Sequence, residues 1–115
     1  MSEGEAIRVG TERPATGVVV VWARGEIGYS EAPVFRQALR AAQDSRPQRV
    51  VVDLAEVDYM STPGVATLVE ALQGSKKAKS RLVLCGMNER VRAIFDIARL
   101  TAVFEIAPDR AAALT

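Results

Sequence analysis

The chain has 115 residues, of which 49% are hydrophobic and 25% are charged, with a formal net charge of +1 at pH 7. These values are typical of one globular domain, and a net charge so close to zero argues against binding to nucleic acid or to an acidic membrane surface. The sequence contains no histidine, which excludes Ser-His-Asp and Cys-His catalysis and the usual zinc sites. We therefore expect no cofactor, no metal and a binding protein rather than an enzyme.

The beginning of the chain carries no visible targeting signal. The stretch MSEGEAIRVGTERP is polar and acidic, whereas a secretory signal needs a basic and then an apolar segment. The longest apolar run, residues 18–23, is too short to cross a membrane. The single cysteine, Cys85, excludes an internal disulfide. We expect a cytoplasmic protein without direct membrane insertion, folded as one domain over residues 1–115, with residues 1–5 disordered.

The hydrophobic pattern predicts strands and helices in alternation along the chain. Runs of β-branched residues without polar alternation are typical of strands that are covered on both faces. Apolar residues at a spacing of three and four, with hydroxyl or amide residues before them, indicate helices. The predicted strands are residues 6–9 (followed by a turn near Arg13-Pro14), 18–23, 50–54, 81–85 and 103–106; the predicted helices begin at residues 31, 63, 89 and 109.

Three of these helices follow residues that are typical N-caps. Ser30 is predicted to cap the first helix, Thr62 the second and Asn88 the third. Pro63 supports the second assignment, because proline favours the first helical position and the residue before it avoids helical geometry. Residues 55–60 are interpreted as a connecting loop before this helix.

The order of elements predicts an α/β fold. We expect one domain with a mixed, mostly parallel sheet of four to five strands and about four helices, and the first hairpin would supply an antiparallel edge. In such sheets, functional residues gather in the loops beyond the carboxyl ends of the strands. The loop of residues 55–62 is one of these.

Three stretches of the chain carry a family resemblance in their order and spacing. They are ARGEIGYSEAPVFRQAL, VVDLAEVDYMSTPGVATLVEAL and RLVLCGMNERVRAIFDIARLTAVFEI. On these stretches the sequence, from about residue 18 to residue 113, resembles the STAS domain family, whose best-known members are bacterial anti-sigma-factor antagonists. The resemblance implies a regulatory partner, an anti-sigma factor that is also a serine/threonine kinase with a histidine-kinase-like ATPase domain. Family antagonists bind this kinase when unphosphorylated and release it when phosphorylated.

The resemblance also implies a site at the start of the second helix. The family's phosphoacceptor falls on Thr62, while Ser61 stands where the family has an acid and is an alternative acceptor. A second family acid, at the end of the first strong strand, is Gly28 here, and Pro63 replaces a hydroxyl residue. The predicted partner-binding residues are Gly28, Tyr29, Ser30, Ser61, Thr62, Pro63, Gly64 and Val65.

Most of these residues also have a purely structural interpretation. Thr62 and Ser30 could be helix caps and nothing more, and Ser61 could be a hydroxyl bonded to nearby backbone. Gly64 could either admit a partner backbone or relieve crowding at the start of the helix. A phosphate at Thr62 would nevertheless suit a helix N-terminus and would obstruct a partner that packs there.

Other polar residues give little support for enzyme chemistry. Asp53 and Asp58 have no base, nucleophile or metal ligands near them in the sequence, and we interpret them as solvated or locally hydrogen bonded. Cys85 and Trp22 lie within apolar strands and are expected in or beside the core. No Walker motif and no GxGxxG sequence is present.

The alternative function is a STAS subunit of an ABC-type lipid transporter that contacts the transporter's ATPase subunit.

Overall fold

The computed structural model describes residues 7–115, and the predicted disorder of residues 1–5 lies outside this range. The described part of the chain forms five strands and four helices. The strands are β1 (Ile7–Ala15), β2 (Val18–Ile27), β3 (Arg49–Met60), β4 (Arg81–Cys85) and β5 (Glu105–Ala107). The helices are α1 (Ala32–Asp44), α2 (Thr62–Ala78), α3 (Glu89–Ile97) and α4 (Arg110–Ala113).

The strands form one mixed sheet in the order β1-β2-β3-β4-β5. The hairpin strand β1 runs antiparallel to β2, and the pairs β2–β3, β3–β4 and β4–β5 are parallel. Each parallel pair is joined through a helix, as the geometry of parallel strands requires. The predicted α/β fold with a mostly parallel sheet and an antiparallel edge is therefore confirmed.

The main core lies between one face of the sheet and helices α1, α2 and α3. It includes the fully buried side chains of Phe35, Leu68 and Phe95, one from each helix, packed against valines of β2 and β3. The helical stripe predicted for α1 supplies three of its buried residues, Phe35, Leu39 and Ala42. Alternating valines of the central strands face opposite sides of the sheet, which explains why these strands read as continuous apolar runs.

The other face of the sheet is covered only in part. A small cluster of Val20, Val51, Val83 and Cys85 packs against Ala113 of the short helix α4. Burial raises the pKa of the Cys85 thiol to about 12, and the predicted place of this cysteine in the core is confirmed. Trp22 lies half-buried on this face, at the border of the core as predicted.

Four strand predictions were wrong in their extent. The strand predicted at residues 18–23 continues to Ile27, and the one predicted at residues 103–106 is β5, Glu105–Ala107. Residues 55–60 are the second half of β3 rather than a loop, since they pair with β2 as far as Met60 opposite Ile27. Breaks in the pairing register displace the side chains there, so that the buried Val57 and Met60 stand three residues apart instead of two. The first strand is also longer than predicted and continues to Ala15 through Pro14, which an edge strand tolerates.

Two of the three predicted N-caps were also wrong. Helix α1 is preceded by Glu31, without a side-chain cap bond, and Ser30 lies one residue before it. Helix α2 is capped by Ser61, and Thr62 is its first helical residue. The third assignment is confirmed, because the Asn88 side chain accepts a hydrogen bond from the Val91 amide at 2.8 Å.

Candidate partner-binding site

The predicted site lies where β2 and β3 end side by side. Here we define the rim as residues 28–30, which follow β2, and residues 61–65, which open α2. The Ser61 amide donates a hydrogen bond of 2.8 Å to the carbonyl of Ile27, the last residue of β2. The two segments of the rim are thus joined through a backbone hydrogen bond.

 The rim is therefore a composite of two chain segments, with α1 and the whole of β3 lying between them in the sequence.

Ser61 fixes the start of α2 through buried hydrogen bonds. Its side chain is only 4% exposed, and its Oγ accepts a hydrogen bond from the Gly64 amide at 3.4 Å. The Ser61 carbonyl accepts the first helical bond, from the Val65 amide at 3.0 Å. The Ser61 hydroxyl is thus used as a helix cap, which agrees with its structural interpretation as a hydroxyl bonded to nearby backbone.

Gly64 allows the start of α2 to press against the end of β2. A Cβ atom at this position would lie 2.7 Å from Cγ of Met60 and 3.2 Å from the carbonyl oxygen of Ile27. No side chain fits at such distances without movement of the backbone or the core. Crowding inside the protein therefore explains this glycine, and Gly64 itself is buried.

Thr62 is the exposed hydroxyl residue of the rim. It lies one residue after the cap, at the first position of a helix of 17 residues, and its side chain faces solvent. Pro63 beside it is half-buried, whereas Val65 is buried and belongs to the main core. The structure thus leaves Thr62 and part of Pro63 on the surface of the α2 segment, with Ser61, Gly64 and Val65 supporting them from beneath.

The 28–30 segment contributes the other half of the rim. Tyr29 is 75% exposed, and Ser30 is also exposed. The half-buried Gly28 donates its amide to the Glu31 carboxylate at 2.9 Å, and its carbonyl accepts from the Ala32 amide at 3.0 Å. The Glu31 carboxylate therefore holds this segment in place. The family resemblance implies an acid at residue 28 itself, and here the acid comes from residue 31 instead.

A shallow groove between α1 and α2 continues from the rim. Tyr29 and Pro33 line one side of it, and Pro63 and Ala66 line the other. This groove was not predicted, because no pattern within either helix shows which of their exposed residues face each other. The only available signal was the concentration of proline and alanine in the first turns of both helices.

An ion pair closes the far end of the groove. The guanidinium of Arg36 on α1 lies 2.9 Å from the carboxylate of Glu70 on α2, and Arg40 lies 3.2 Å from the same carboxylate. The hydrogen bond from Arg36 and the positive charges of both arginines lower the pKa of Glu70. The groove thus has an apolar end at Pro63 and a charged, solvent-exposed end at Glu70.

The aspartates considered for acid–base chemistry serve other purposes. Asp53 accepts hydrogen bonds from Nε of Arg110 at 2.9 Å and from the Ala55 amide at 3.0 Å, which agrees with the local hydrogen bonding predicted for it. Asp58 is exposed on β3. Within residues 7–115, no group of three or more acidic, cysteine or histidine side chains is placed to bind a metal ion. The helices of this part of the chain include none that is both long and apolar enough to cross a membrane.

Comparison with known proteins places this geometry in a family. The profile of the STAS domain matches residues 12–113. The anti-sigma-B factor antagonist of Listeria monocytogenes is 32% identical over 91 residues, which cover 79% of this chain and 80% of that protein. A protein of the same name from Staphylococcus epidermidis is 27% identical over 82 residues, which cover 71% of this chain and 76% of its own.

The fold leads to the same assignment. The crystal structure of an anti-sigma factor antagonist from Mycobacterium paratuberculosis superimposes with a TM-score of 0.87 and 25% identity, covering 99% of this chain and 96% of that one. Sequence profile and three-dimensional structure thus agree over nearly the whole described length. The chain belongs to the STAS domain family.

Proposed function

We propose that this protein is an anti-sigma-factor antagonist that binds an anti-sigma factor through the rim and is released when Thr62 is phosphorylated. The partner would be a serine/threonine kinase with a histidine-kinase-like ATPase domain. The observation that carries the proposal is the exposed hydroxyl of Thr62 at the start of a helix that Ser61 caps independently. The names of the similar Listeria, Staphylococcus and Mycobacterium proteins support the same class of function.

Burial favours Thr62 over Ser61 as the phosphoacceptor. A kinase must reach the hydroxyl oxygen and bring the γ-phosphate of ATP in line with it. Ser61 is 4% exposed and its oxygen already accepts the Gly64 amide, so phosphorylation there would require the first turn of α2 to open. Thr62 presents its hydroxyl without any such change.

The electrostatics of the rim are compatible with a phosphate on Thr62. A phosphothreonine carries a charge of about −1.5 to −2 at pH 7, and the positive end of a helix dipole stabilises negative charge in the first turn. Gly28 and Ser61, which stand in place of the two acids of the family, add no negative charge beside it. The modified protein should therefore keep its fold while its surface changes.

The same phosphate would obstruct a docked partner. Pro63 lines the groove together with Tyr29 and Pro33, and Thr62 directly precedes Pro63, so an interface that covers the rim and this groove would also cover the phosphate. Burying a dianion without a matching cation is strongly unfavourable. Phosphorylation would thus abolish binding through the interface alone.

Phosphorylation by the cognate anti-sigma kinase provides the first test. Intact-mass measurement after incubation with kinase and ATP should show the gain of one phosphate in the wild type and in Ser30→Ala, and none in Thr62→Ala. Ser30 is the matched control because it is an exposed hydroxyl residue of the same rim. No gain in the wild type, or an equal gain in Thr62→Ala, would remove the phosphorylation switch.

Binding measurements test the interface separately. We expect Tyr29→Ala to lower the affinity of the unphosphorylated protein for the anti-sigma factor by about tenfold or more, because large exposed aromatic residues are common binding hot spots. Ile97→Ala is the control, since Ile97 is 84% exposed but lies at the distant end of α3. Equal binding by both variants would exclude the rim as the docking surface, and co-purification with a transporter ATPase subunit instead would support the transport alternative.

A further inference from the structure

The strand β1 forms one edge of the sheet, and its outer side pairs with no other strand within residues 7–115. Its pairing with β2 is regular from Ile7 to Glu12, and the register shifts only between Glu12 and Ala15. A regular edge strand of this length offers a row of backbone donors and acceptors to another strand. What could pair with it depends on the side chains along this edge.

The charges on β1 are arranged symmetrically about Gly10. Arg8 and Glu12 lie two residues on either side of Gly10, and side chains two apart in a strand share one face of the sheet. Glu12 contacts Arg110 of α4 at 2.7 Å, which identifies this as the face that α4 partly covers. The partly buried Val9 packs against the main core on the other face.

We propose that β1 pairs with β1 of a second copy of this chain, in antiparallel register centred on Gly10. In this register Arg8 of each copy lies opposite Glu12 of the other, so that two cross-strand ion pairs form about the two-fold axis. Opposite residues in antiparallel strands have Cβ atoms about 5 Å apart, which is close enough for such pairs. The result is a symmetric dimer with one continuous sheet through both copies.

Trp22 provides an apolar contribution at the same place. A Cβ atom on Gly10 would overlap the Trp22 ring, so the half-buried indole lies directly over the Gly10 backbone and extends to the edge of the sheet. In the proposed register the two Gly10 residues face each other at the axis. The two indole rings would therefore lie on the same face, one on each side of the seam, and lose solvent exposure.

The existing contacts of Glu12 and Arg8 permit this pairing. Arg110 approaches one carboxylate oxygen of Glu12, whose side chain is 51% exposed, and a carboxylate accepts from more than one donor. Among the ion pairs formed between residues 7–115, none involves Arg8, which is exposed. Pro14 lacks an amide donor and falls outside the paired stretch.

The proposed dimer leaves the rim accessible in both copies. Antiparallel pairing of the two β1 strands also reverses the direction of β2 and β3, so the two rims lie at opposite ends of the double sheet. Dimerisation should therefore be insensitive to Thr62→Glu. This independence separates the present inference from the proposed phosphorylation switch.

Light scattering coupled to gel filtration provides the main test. The 115-residue chain of 12.4 kDa should elute with twice this mass, and Arg8→Glu should weaken self-association by about tenfold or more, because like charges then oppose each other at two places. Arg92→Glu on α3 makes the same change in net charge at another exposed arginine and should leave the dimer intact. Circular dichroism should confirm that both variants are folded.

Mixing two variants tests the register. Arg8→Glu and Glu12→Arg should each dimerise poorly alone, whereas an equimolar mixture should form a heterodimer, since every pair across the seam is then of opposite charge. The emission of Trp22, the only tryptophan, should shift as the heterodimer forms. A folded wild type that stays monomeric at every concentration, equal effects of Arg8→Glu and Arg92→Glu, or a mixture that remains monomeric would each overturn the proposal.

Discussion

Helices α1 and α2 begin side by side at the same end of the sheet, beyond the carboxyl ends of β2 and β3, but their first turns are built differently. Helix α2 has a buried cap, Ser61, and a glycine, Gly64, that brings its backbone against β2. Helix α1 has no side-chain cap bond, and the residue before it, Glu31, instead bonds back to the amide of Gly28. One helix start is fixed to the sheet, and the other is fixed mainly to its own loop.

This difference indicates how a helix start can carry a modification without losing stability. Buried groups of Ser61, Gly64 and Val65 position the first turn of α2, and Thr62 contributes none of the side-chain hydrogen bonds that cap the helix. The exposed hydroxyl is therefore free to change its chemistry. Substitutions at the buried residues should therefore lower stability more than substitutions at Thr62.

The largest effect is expected at Gly64. Gly64→Ala should lower the free energy of unfolding by about 1–3 kcal/mol, because the added Cβ would overlap Met60 and the Ile27 carbonyl. The control is Gly74→Ala in the same helix, where the nearest atom to an added Cβ is the Gln43 side chain at 3.4 Å. That change should stabilise by about 0.5–1 kcal/mol, as alanine generally does within a helix.

Urea denaturation of both variants measures the difference. Opposite signs for the two glycines would establish that close contact with β2, rather than helix propensity, requires Gly64. If Gly64→Ala were neutral or stabilising, the first turn of α2 would not be held against β2 as described.

The second effect compares the two serines of the rim. Ser61→Ala should cost about 1 kcal/mol, since it removes the cap of α2 and leaves the Gly64 amide without its side-chain acceptor. Ser30→Ala should change stability by less than about 0.5 kcal/mol, because Ser30 is exposed and caps no helix. Thermal unfolding of the two variants is a direct measurement, and equal losses would contradict the distinction between the two helix starts.

A smaller effect is expected at Thr62 itself. Thr62→Glu should be more stable than Thr62→Gln by about 0.3–1 kcal/mol, because the two side chains differ in charge and a negative charge is favourable in the first turn of a helix. The comparison is best made at low ionic strength, where the effect is least screened. A Thr62→Glu variant clearly less stable than Thr62→Gln would mean that the rim does not tolerate a phosphate.

The smallest effect concerns the ion pair that joins α1 to α2 beside the groove. The arginines lower the folded-state pKa of Glu70 below its ordinary value of 4.5, so the pair stabilises the fold fully above that pH. Its contribution should be lost as the pH falls through the lowered pKa. Because the pair is exposed, we expect a small difference in melting temperature between the wild type and Glu70→Gln at pH 7, and none at pH 2.

Asp58→Asn is the control for this measurement, since Asp58 is exposed on β3, away from any helix terminus, and forms none of the ion pairs between residues 7–115. It should not show the same change between the two pH values. A difference for Glu70→Gln that is unchanged at pH 2 would mean that packing of the side chain, and not its charge, joins the helices.

The sequence was sufficient for the order of elements and for the position of α2, because both depend on local patterns. The β-branched runs of β2 and β3 and the apolar stripe of α1 are visible without tertiary information. The second half of β3 was missed because its buried residues, Val57 and Met60, follow the shifted register with β2 rather than a period of two. Pairing between distant segments determines that register, and no local pattern encodes it.

The caps were misassigned for a similar reason. Ser61 and Thr62 are both good caps by residue type, and the choice between them depends on which one β2 holds in place. The hydrogen bond from the Ser61 amide to the Ile27 carbonyl holds Ser61 in place, and that contact joins the end of β2 to the residue that follows β3. The groove between α1 and α2 likewise arises from the packing of two helices that are far apart in the sequence.

Calorimetric titration of the anti-sigma factor with three forms of this protein tests the central claim most directly. The wild type and Thr62→Gln should bind with similar affinity, whereas Thr62→Glu should bind at least about tenfold more weakly, because only the charge separates the two variants. Equal binding of Thr62→Glu and Thr62→Gln would contradict the account, since a negative charge at the start of α2 would then not control docking.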